Sequence, residues 1–514
     1  MDLTQGLHRA VQQQPDAIMT ICGPRQRTFR EVADRVARLA GALRGLGVGS
    51  GDRVGILALN SDRYSEYLLA VPWADAVLNP VNIRWSAAEI AYSLADCDTR
   101  TLFVDDAFAP MLPALRADVP GVTTVIHVGD GPTPDGALDY ESLIAGAAPV
   151  ADAHRGGDKL AGVFYTGGTT GFPKGVMLSH ANLATSWLGS AATGCLPTAD
   201  SRSLHCAPMF HLAALAVWGS TLLMGGSHVF VPSFKTVPVF EAIAAHGVTD
   251  VLVVPTMIQL MVDDPAIGDH DLTSLHAVLY GASPIPAAVL ERAMKVLPDV
   301  TFTQAYGLTE TAPIVTVLTP ADHRRGLLRS AGRSAPHNEL RIVDPLGAPV
   351  PAGTVGEIVV RGDHVMHGYW DKPAETAAAI RDGWFHTGDA GYLDEQGYLY
   401  VVDRIKDMIV SGGENVYSAE VENAIARHPS VAQCAVIGVP DADWGERVHA
   451  VVVPQAGASL TLAEVREHVK TLIAGYKAPR SLELVEALPI SGAGKVLKRE
   501  LRKEHWGAAV RQVH

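Results

Sequence analysis

The chain has 514 residues, 48% of them hydrophobic and 19% charged, with a formal net charge of −14. That length exceeds a single hydrophobic core and calls for two or more domains. The acidic balance argues against a general nucleic-acid binder, whose phosphate contacts need clustered Lys and Arg. Cys22, Cys97, Cys195, Cys206 and Cys434 are odd in number and widely spaced with no CxxC, which argues against a disulfide framework or a zinc ribbon.

Met1 to Gln14 lack an apolar core of the signal-peptide kind, so a cytoplasmic enzyme is expected. Thr28 and Glu31 make a capping-box pattern ahead of Val32, Val36, Leu39, Leu43 and Leu46, which predicts one helical face stopped by Gly45 and Gly47. Asp52 to Asn60 reads as a strand, Ser86 with Glu89 as a second capping box, and Thr101 to Val104 and Val122 to Val128 as further short strands. Alternating strand and helix predict an α/β layer structure with a parallel sheet.

The stretch Tyr165 to His180 concentrates Gly167, Gly168 and Gly171 with Thr166, Thr169 and Thr170 ahead of Lys174. Glycines let backbone N–H groups turn inward, threonine hydroxyls add donors and the lysine adds charge, so a phosphate-holding loop is predicted. It is not a Walker A loop, because no Gly-Lys-Ser/Thr follows a four-residue gap.

The stretch resembles the signature Tyr-Thr-Ser-Gly-Thr-Thr-Gly-x-Pro-Lys-Gly of the acyl-adenylate-forming superfamily, which holds acyl-CoA synthetases, the adenylation domains of peptide synthetases and the beetle luciferases. The chain departs from it at Gly167, where the family usually has serine.

Leu212 to Phe234 has no Asp, Glu, Lys or Arg, yet its glycines, three serines, His228 and Pro232 suit a buried helix and strand better than a membrane span. Val251 to Val254 reads as a strand buried on both faces. From Gly332 to Val360 short strands, Glu339 to Val343 and Gly356 to Val360, suggest a small β-rich subdomain. Past a boundary near Asp403 to Lys406, helices at Ser418 to Arg427 and Leu462 to Ile473, with strands at Ala435 to Val439 and His449 to Pro454, suggest a compact α+β unit. The expected fold is α/β: a large N-terminal domain, 1–404, of layered α/β subdomains plus the small β-rich subdomain, followed by a small mobile α+β domain, 405–514.

The remaining motifs follow the family order, and their roles are what the resemblance implies. Thr166, Gly167, Gly168, Thr169, Thr170 and Lys174 would hold ATP phosphates. Gly281, Ala282 and Ser283, after the strand-like Ala277 to Tyr280, would line the adenine and acyl pockets. In Gln304 to Thr311, Ala305, Tyr306 and Gly307 would sit against adenine, Thr309 would touch the α-phosphate and Glu310 would take Mg²⁺, for which a carboxylate is a suitable hard ligand.

Asp389 and Arg404 would bind the ribose, and Lys406 would be the hinge. Lys495, in Pro489 to Lys495, would bridge carboxylate and phosphate; the bland reading of Lys495 to Lys503 is a solvated basic helix face. His211, beside Phe210, would close the acyl side; His205 and Cys206 lie near it without ligand-spaced partners for zinc.

The implied reaction makes acyl-AMP and pyrophosphate from a carboxylate and ATP, then transfers the acyl group to a thiol. Gly412, Gly413 and Glu414 would face the thiol channel, and Trp444, Tyr476, Lys477 and Arg480 would contact CoA. After Phe210 the chain reads His211, Leu212, Ala213, Ala214 and Leu215, with no aspartate for a substrate amine and no arginine for a second carboxylate. An apolar fatty or aromatic acid is therefore expected, with ATP, Mg²⁺ and coenzyme A. No nucleic acid and no integral membrane span are expected, and a homodimer is left open. A luciferase-like oxygenase and a non-catalytic nucleotide- or acyl-adenylate-binding protein are the alternatives.

Overall fold

The computed structural model describes residues 1–166, 173–195, 197–405, 407–490 and 496–506. Its described strands form four sheets. The two largest draw most of their strands from the chain before residue 330. The first runs through Arg53–Leu57, Val77–Pro80, Thr101–Val104, Thr124–His127 and Leu160–Thr166. The second runs through Ile18–Cys22, Arg202–His205, Ser227–Phe230, Asp250–Val253, Ala277–Gly281 and Thr301–Tyr306. Within each, these strands pair in parallel, as the strand–helix alternation requires.

Local chemistry sets the helices. Thr28 and Glu31 close a reciprocal capping box on the helix Phe29–Gly45, and Ser86 and Glu89 do the same for Ala87–Asp96. The apolar stretch after His211 is the helix Leu212–Met224, ended by Gly225 in the left-handed conformation, followed by the strand Ser227–Phe230. Among the described residues no helix is long and apolar enough to cross a membrane.

Several boundaries differ from the sequence reading. The strand expected over Asp52 to Asn60 is only Arg53–Leu57, because Asn60 leaves the sheet to cap carbonyls of His205 and Ala207. The helix expected to Arg427 ends at Ile425, and that expected to Ile473 ends at Lys470. The two expected C-terminal strands are longer, Val431–Asp441 and Gly445–Pro454, and pair antiparallel over their whole length.

The third sheet holds Glu339–Val343, Gly356–Arg361, Trp384–Leu393 and Leu399–Arg404. The fourth holds Ile409–Ser411, Glu414–Val416, Val431–Asp441, Gly445–Pro454 and Ser481–Leu484, with its own core around Ile409, Val436 and Val448. Between the third and fourth sheets lies a buried polar relay. Asp403 accepts from Ser418 N (2.5 Å) and Ser418 Oγ (2.6 Å), and Lys498 Nζ reaches Ser418 Oγ (2.5 Å) and Glu422 Oε1 (2.7 Å). Burial works against the Lys498 ammonium, but Glu422 and Asp403 outweigh it and hold its pKa above that of an ordinary lysine. Arg502 closes the cluster on Asp407 at 2.7 Å.

Candidate active site

In an open α/β sheet, ligands collect beyond the carboxyl ends of parallel strands. Here the parallel strands Arg202–His205, Ala277–Gly281 and Thr301–Tyr306 send His211, Ala282 with Ser283, and Gly307 to Glu310 out from that one edge. Gly281 pairs with Ala305, and a Cβ on Gly281 would lie 2.2 Å from the Ala305 carbonyl oxygen. Only glycine lets these strand ends approach so closely. Gly307 is tighter still, its added Cβ falling 1.7 Å from the Pro313 carbonyl oxygen.

Tyr306 ends its strand with the hydroxyl donating to Asp389 Oδ2 at 2.7 Å. Asp389 is buried and is the cross-strand partner of Arg404, whose Nε lies 3.6 Å from the other carboxylate oxygen. Burial, and then the Asp389 charge, push the Tyr306 hydroxyl well above the ordinary phenol range, so it stays a donor. An aromatic face, a carboxylate and a guanidinium expected separately for adenine and ribose thus stand in one contact chain.

Four residues along, Glu310 lies in the short 3-10 helix Thr309–Thr311, with Thr311 Oγ1 accepting from Leu308 N at 3.0 Å. This capped turn fixes the backbone that carries Glu310. Tyr369 Oη donates to Glu310 Oε1 at 3.0 Å, and the Lys174 ammonium stands 4.8 Å from the centre of the same tyrosine ring. Burial, and then Glu310, raise the Tyr369 hydroxyl above the phenol range. Tyr369 is absent from the sequence reading; it pairs with Val176 across two short antiparallel strands, which brings it beside Lys174. Its only sequence signal is an aromatic pair after Gly368.

The glycine-rich stretch is flanked by a β-hairpin. Leu160–Thr166 and Lys174–Ser179 pair antiparallel, and Thr166 faces Lys174. This differs from a strand-to-helix phosphate loop, since both ends of the stretch are pinned by sheet hydrogen bonds. Tyr165 is tied further by its hydroxyl to Asp96 at 2.6 Å. Gly167, Gly168, Thr169, Thr170, Lys406 and Lys495 lie outside the described residues.

His211 is the N-cap of Leu212–Met224, with its ring centroid 4.1 Å from that of the buried Phe210. His205 and Cys206 behave as core residues: His205 Nε2 lies 3.0 Å from His228 Nδ1, and burial holds the His205 imidazole down at about 3.

Gly412, Gly413, Glu414 and Trp444 form a second group on the fourth sheet. Gly412 and Gly413 are the two-residue turn between Ile409–Ser411 and Glu414–Val416, both at positive φ, as a type I′ hairpin demands. Gly412 N donates to the Trp444 carbonyl at 2.9 Å, and a Cβ there would lie 2.5 Å from the indole. The half-exposed Trp444 ring carries the Arg480 guanidinium at 3.8 Å. Lys477 instead spends its charge on Glu420 at 2.7 Å.

Residues 7–370 match the model of the AMP-binding enzyme family, and residues 420–495 that of the AMP-binding enzyme C-terminal domain. The chain is 42% identical over 496 residues to a feruloyl-CoA synthase of Amycolatopsis sp, covering 96% of this chain and 97% of that one. It is 37% identical over 513 residues to the fatty acid–[acyl-carrier-protein] ligase ScoC of Streptomyces coeruleorubidus, covering 98% and 96%. Among solved structures, the anthranilate CoA ligase AuaEII in complex with anthranoyl-AMP superposes with a TM-score of 0.90 at 27% identity, covering 98% of this chain and 97% of that one.

Proposed function

The chain belongs to the AMP-binding enzyme family and is an AMP-forming acyl-CoA synthetase; from that premise we propose how its residues divide the work. The acid is an apolar one, fatty or aromatic, and ATP and CoA are the co-substrates. The observation that carries the assignment of roles is the pair of contact chains on one segment: Tyr306 with Asp389 and Arg404, and Glu310 with Tyr369 and Lys174.

Tyr306 offers its ring to adenine, while Asp389 and Arg404 take the ribose hydroxyls. Thr166, Lys174, Thr309 and the glycine-rich stretch between them receive the phosphates. Glu310 fits a hard divalent ion: it is a carboxylate oriented by a tyrosine donor, beside a lysine that would share the phosphate charge. Mg²⁺ held there would neutralise the phosphate oxygens as the α-phosphorus is attacked. His211 and Phe210 border the acyl carboxylate.

In the first half-reaction a carboxylate oxygen attacks the α-phosphorus and pyrophosphate leaves, with Lys495 bridging the two anions. In the second, the thiol sulfur attacks the acyl carbonyl carbon and AMP leaves. We assign the first to a body of residues 1–404 closed by a lid of residues 405–514, and the second to the same lid turned about Lys406 so that Gly412, Gly413, Glu414 and Trp444 face the site. Five unpaired cysteines, three of them buried, support a cytoplasmic place.

The test is ATP–pyrophosphate exchange with a panel of ferulic, cinnamic, benzoic, fatty and amino acids, followed by acid-dependent AMP release with CoA. Exchange with an apolar acid and AMP release that needs CoA is the expected result. Exchange with amino acids alone would overturn the acid class, and turnover with a carrier-protein thiol but not CoA would overturn the acceptor.

A further inference from the structure

A cluster on the fourth sheet, made of side chains given no role above, has the chemistry of a metal centre. His449 lies on the strand Gly445–Pro454 and pairs with Ser481 on the parallel strand Ser481–Leu484, whose Glu483 is two residues further on and so shares the face of Ser481. The helix Lys498–Trp506 brings His505 over that face, and Trp506 Nε1 anchors its end on the Gly438 carbonyl at 2.9 Å.

Glu483 Oε2 stands 3.5 Å from His449 Nε2 and 3.7 Å from His505 Nε2, with the two imidazole centroids 4.7 Å apart. All three donor atoms lie within 4.8 Å of one another. Around a tetrahedral ion with bonds of about 2.0–2.1 Å, donor atoms sit roughly 3.3–3.5 Å apart, so only small side-chain movements would close this triangle on a metal.

Two further observations point to a ligand. His449 is 5% exposed, yet its Nε2 and that of His505 are buried with only the long contacts to Glu483, 3.5 and 3.7 Å, as polar neighbours among the described residues. A buried imidazole nitrogen held at such long range costs free energy that coordination would recover. His449 Nδ1 lies 2.8 Å from Ser481 Oγ, and with the Nδ1–H donating to that oxygen the imidazole is fixed in the outer-shell manner of a metal ligand and its Nε2 lone pair is left for the ion.

We propose that His449, Glu483 and His505 bind a divalent transition-metal ion, Zn²⁺ being the one that two imidazoles and a carboxylate suit, and that the ion pins the C-terminal helix to the sheet. Imidazole nitrogens disfavour Mg²⁺ and Ca²⁺, which take oxygen. The role is structural: the ion ties together segments about thirty and twenty residues apart in a small unit, where cross-links count most. A second grouping of this kind among the described residues, His8, Asp152 and His154, is less built, since the His154 side chain is 66% exposed and Asp152 already binds Thr4 and His8.

The experiment uses the full chain, stripped with chelator and equilibrated with Zn²⁺ alone, comparing wild type with Glu483→Gln and His505→Ala, and with His154→Ala as a control for the second cluster. Bound zinc is counted by mass spectrometry, and the thermal midpoint is read with and without the ion. Wild type and His154→Ala should retain one equivalent more than Glu483→Gln and His505→Ala. Wild type should gain about 4 °C or more at saturating Zn²⁺, a gain both site variants lose. Equal zinc content and equal midpoint shifts in wild type and the two site variants would overturn the proposal. Neither readout depends on ligase activity.

Discussion

Replacing Tyr369 with phenylalanine separates the two contacts that this ring makes. The ring under Lys174 is kept, and the hydroxyl bond to Glu310, 3.0 Å long, is lost. A hydrogen bond to a charged group contributes about 1.5–3 kcal/mol net, and because Glu310 is only half-buried the lower part of that range applies, about 1.5–2 kcal/mol. If that bond aims Glu310 at the metal–phosphate group, kcat/KM for MgATP in pyrophosphate exchange should fall roughly 10- to 30-fold. Thioester formation from supplied acyl-adenylate should change by less than about twofold, because no pyrophosphate is handled in that step. Tyr369→Ala also removes the face under Lys174 and should lower exchange by about a further tenfold. Wild-type exchange in Tyr369→Phe, or an equal loss in both half-reactions, would refute the reasoning.

On the proposed thiol surface, where the half-exposed Trp444 indole carries Arg480, Trp444→Ala should raise KM for CoA about tenfold and leave pyrophosphate exchange intact; an unchanged CoA KM removes Trp444 from that surface. Gly281→Ala places a methyl 2.2 Å from a backbone oxygen, and overpacking of this kind costs about 1–3 kcal/mol. The thermal midpoint should fall by several degrees and ATP binding should weaken with it; a wild-type midpoint would show that the strand ends part freely. Burial pushes His180, His205 and His364 from 6.5 down to about 3. Between those values the unfolded chain binds protons that the folded chain refuses, so stability is full above pH 6.5 and declines as the pH falls. The slope is at most about 1.4 kcal/mol per pH unit for each histidine. Thermal midpoints should therefore be level from pH 8 to 7 and drop steeply from 6.5 to 5, and a level profile down to pH 5 would count against neutral burial.

What the sequence reveals here is what is local. Capping boxes at Thr28 and Ser86 act over three residues, so the helix starts are legible, and the all-apolar Val251 to Val254 announces a strand flanked on both sides. Tyr306, Asp389 and Arg404 are each legible by motif, but their single contact chain spans 83 residues between Tyr306 and Asp389 and depends on a strand register that no local pattern encodes. Tyr369 escapes for the same reason, its role resting on a pairing with Val176 across the chain. Lys498 is the sharper case. A basic run from Lys495 to Lys503 reads as a solvated face, yet Lys498 is drawn inside by Glu422, Ser418 and Asp403, because a buried cation is stable only where distant carboxylates meet it. Three of these groups follow Lys406 in the chain and only Asp403 precedes it. Lys498 also stands three residues after Lys495 in the chain, so the relay links the third sheet to the segment next to the lysine proposed for adenylation. If the proposed lid turns about Lys406 and Asp403 stays with the third sheet, the turn has to exchange the Asp403–Ser418 bonds, and part of its cost falls at that carboxylate.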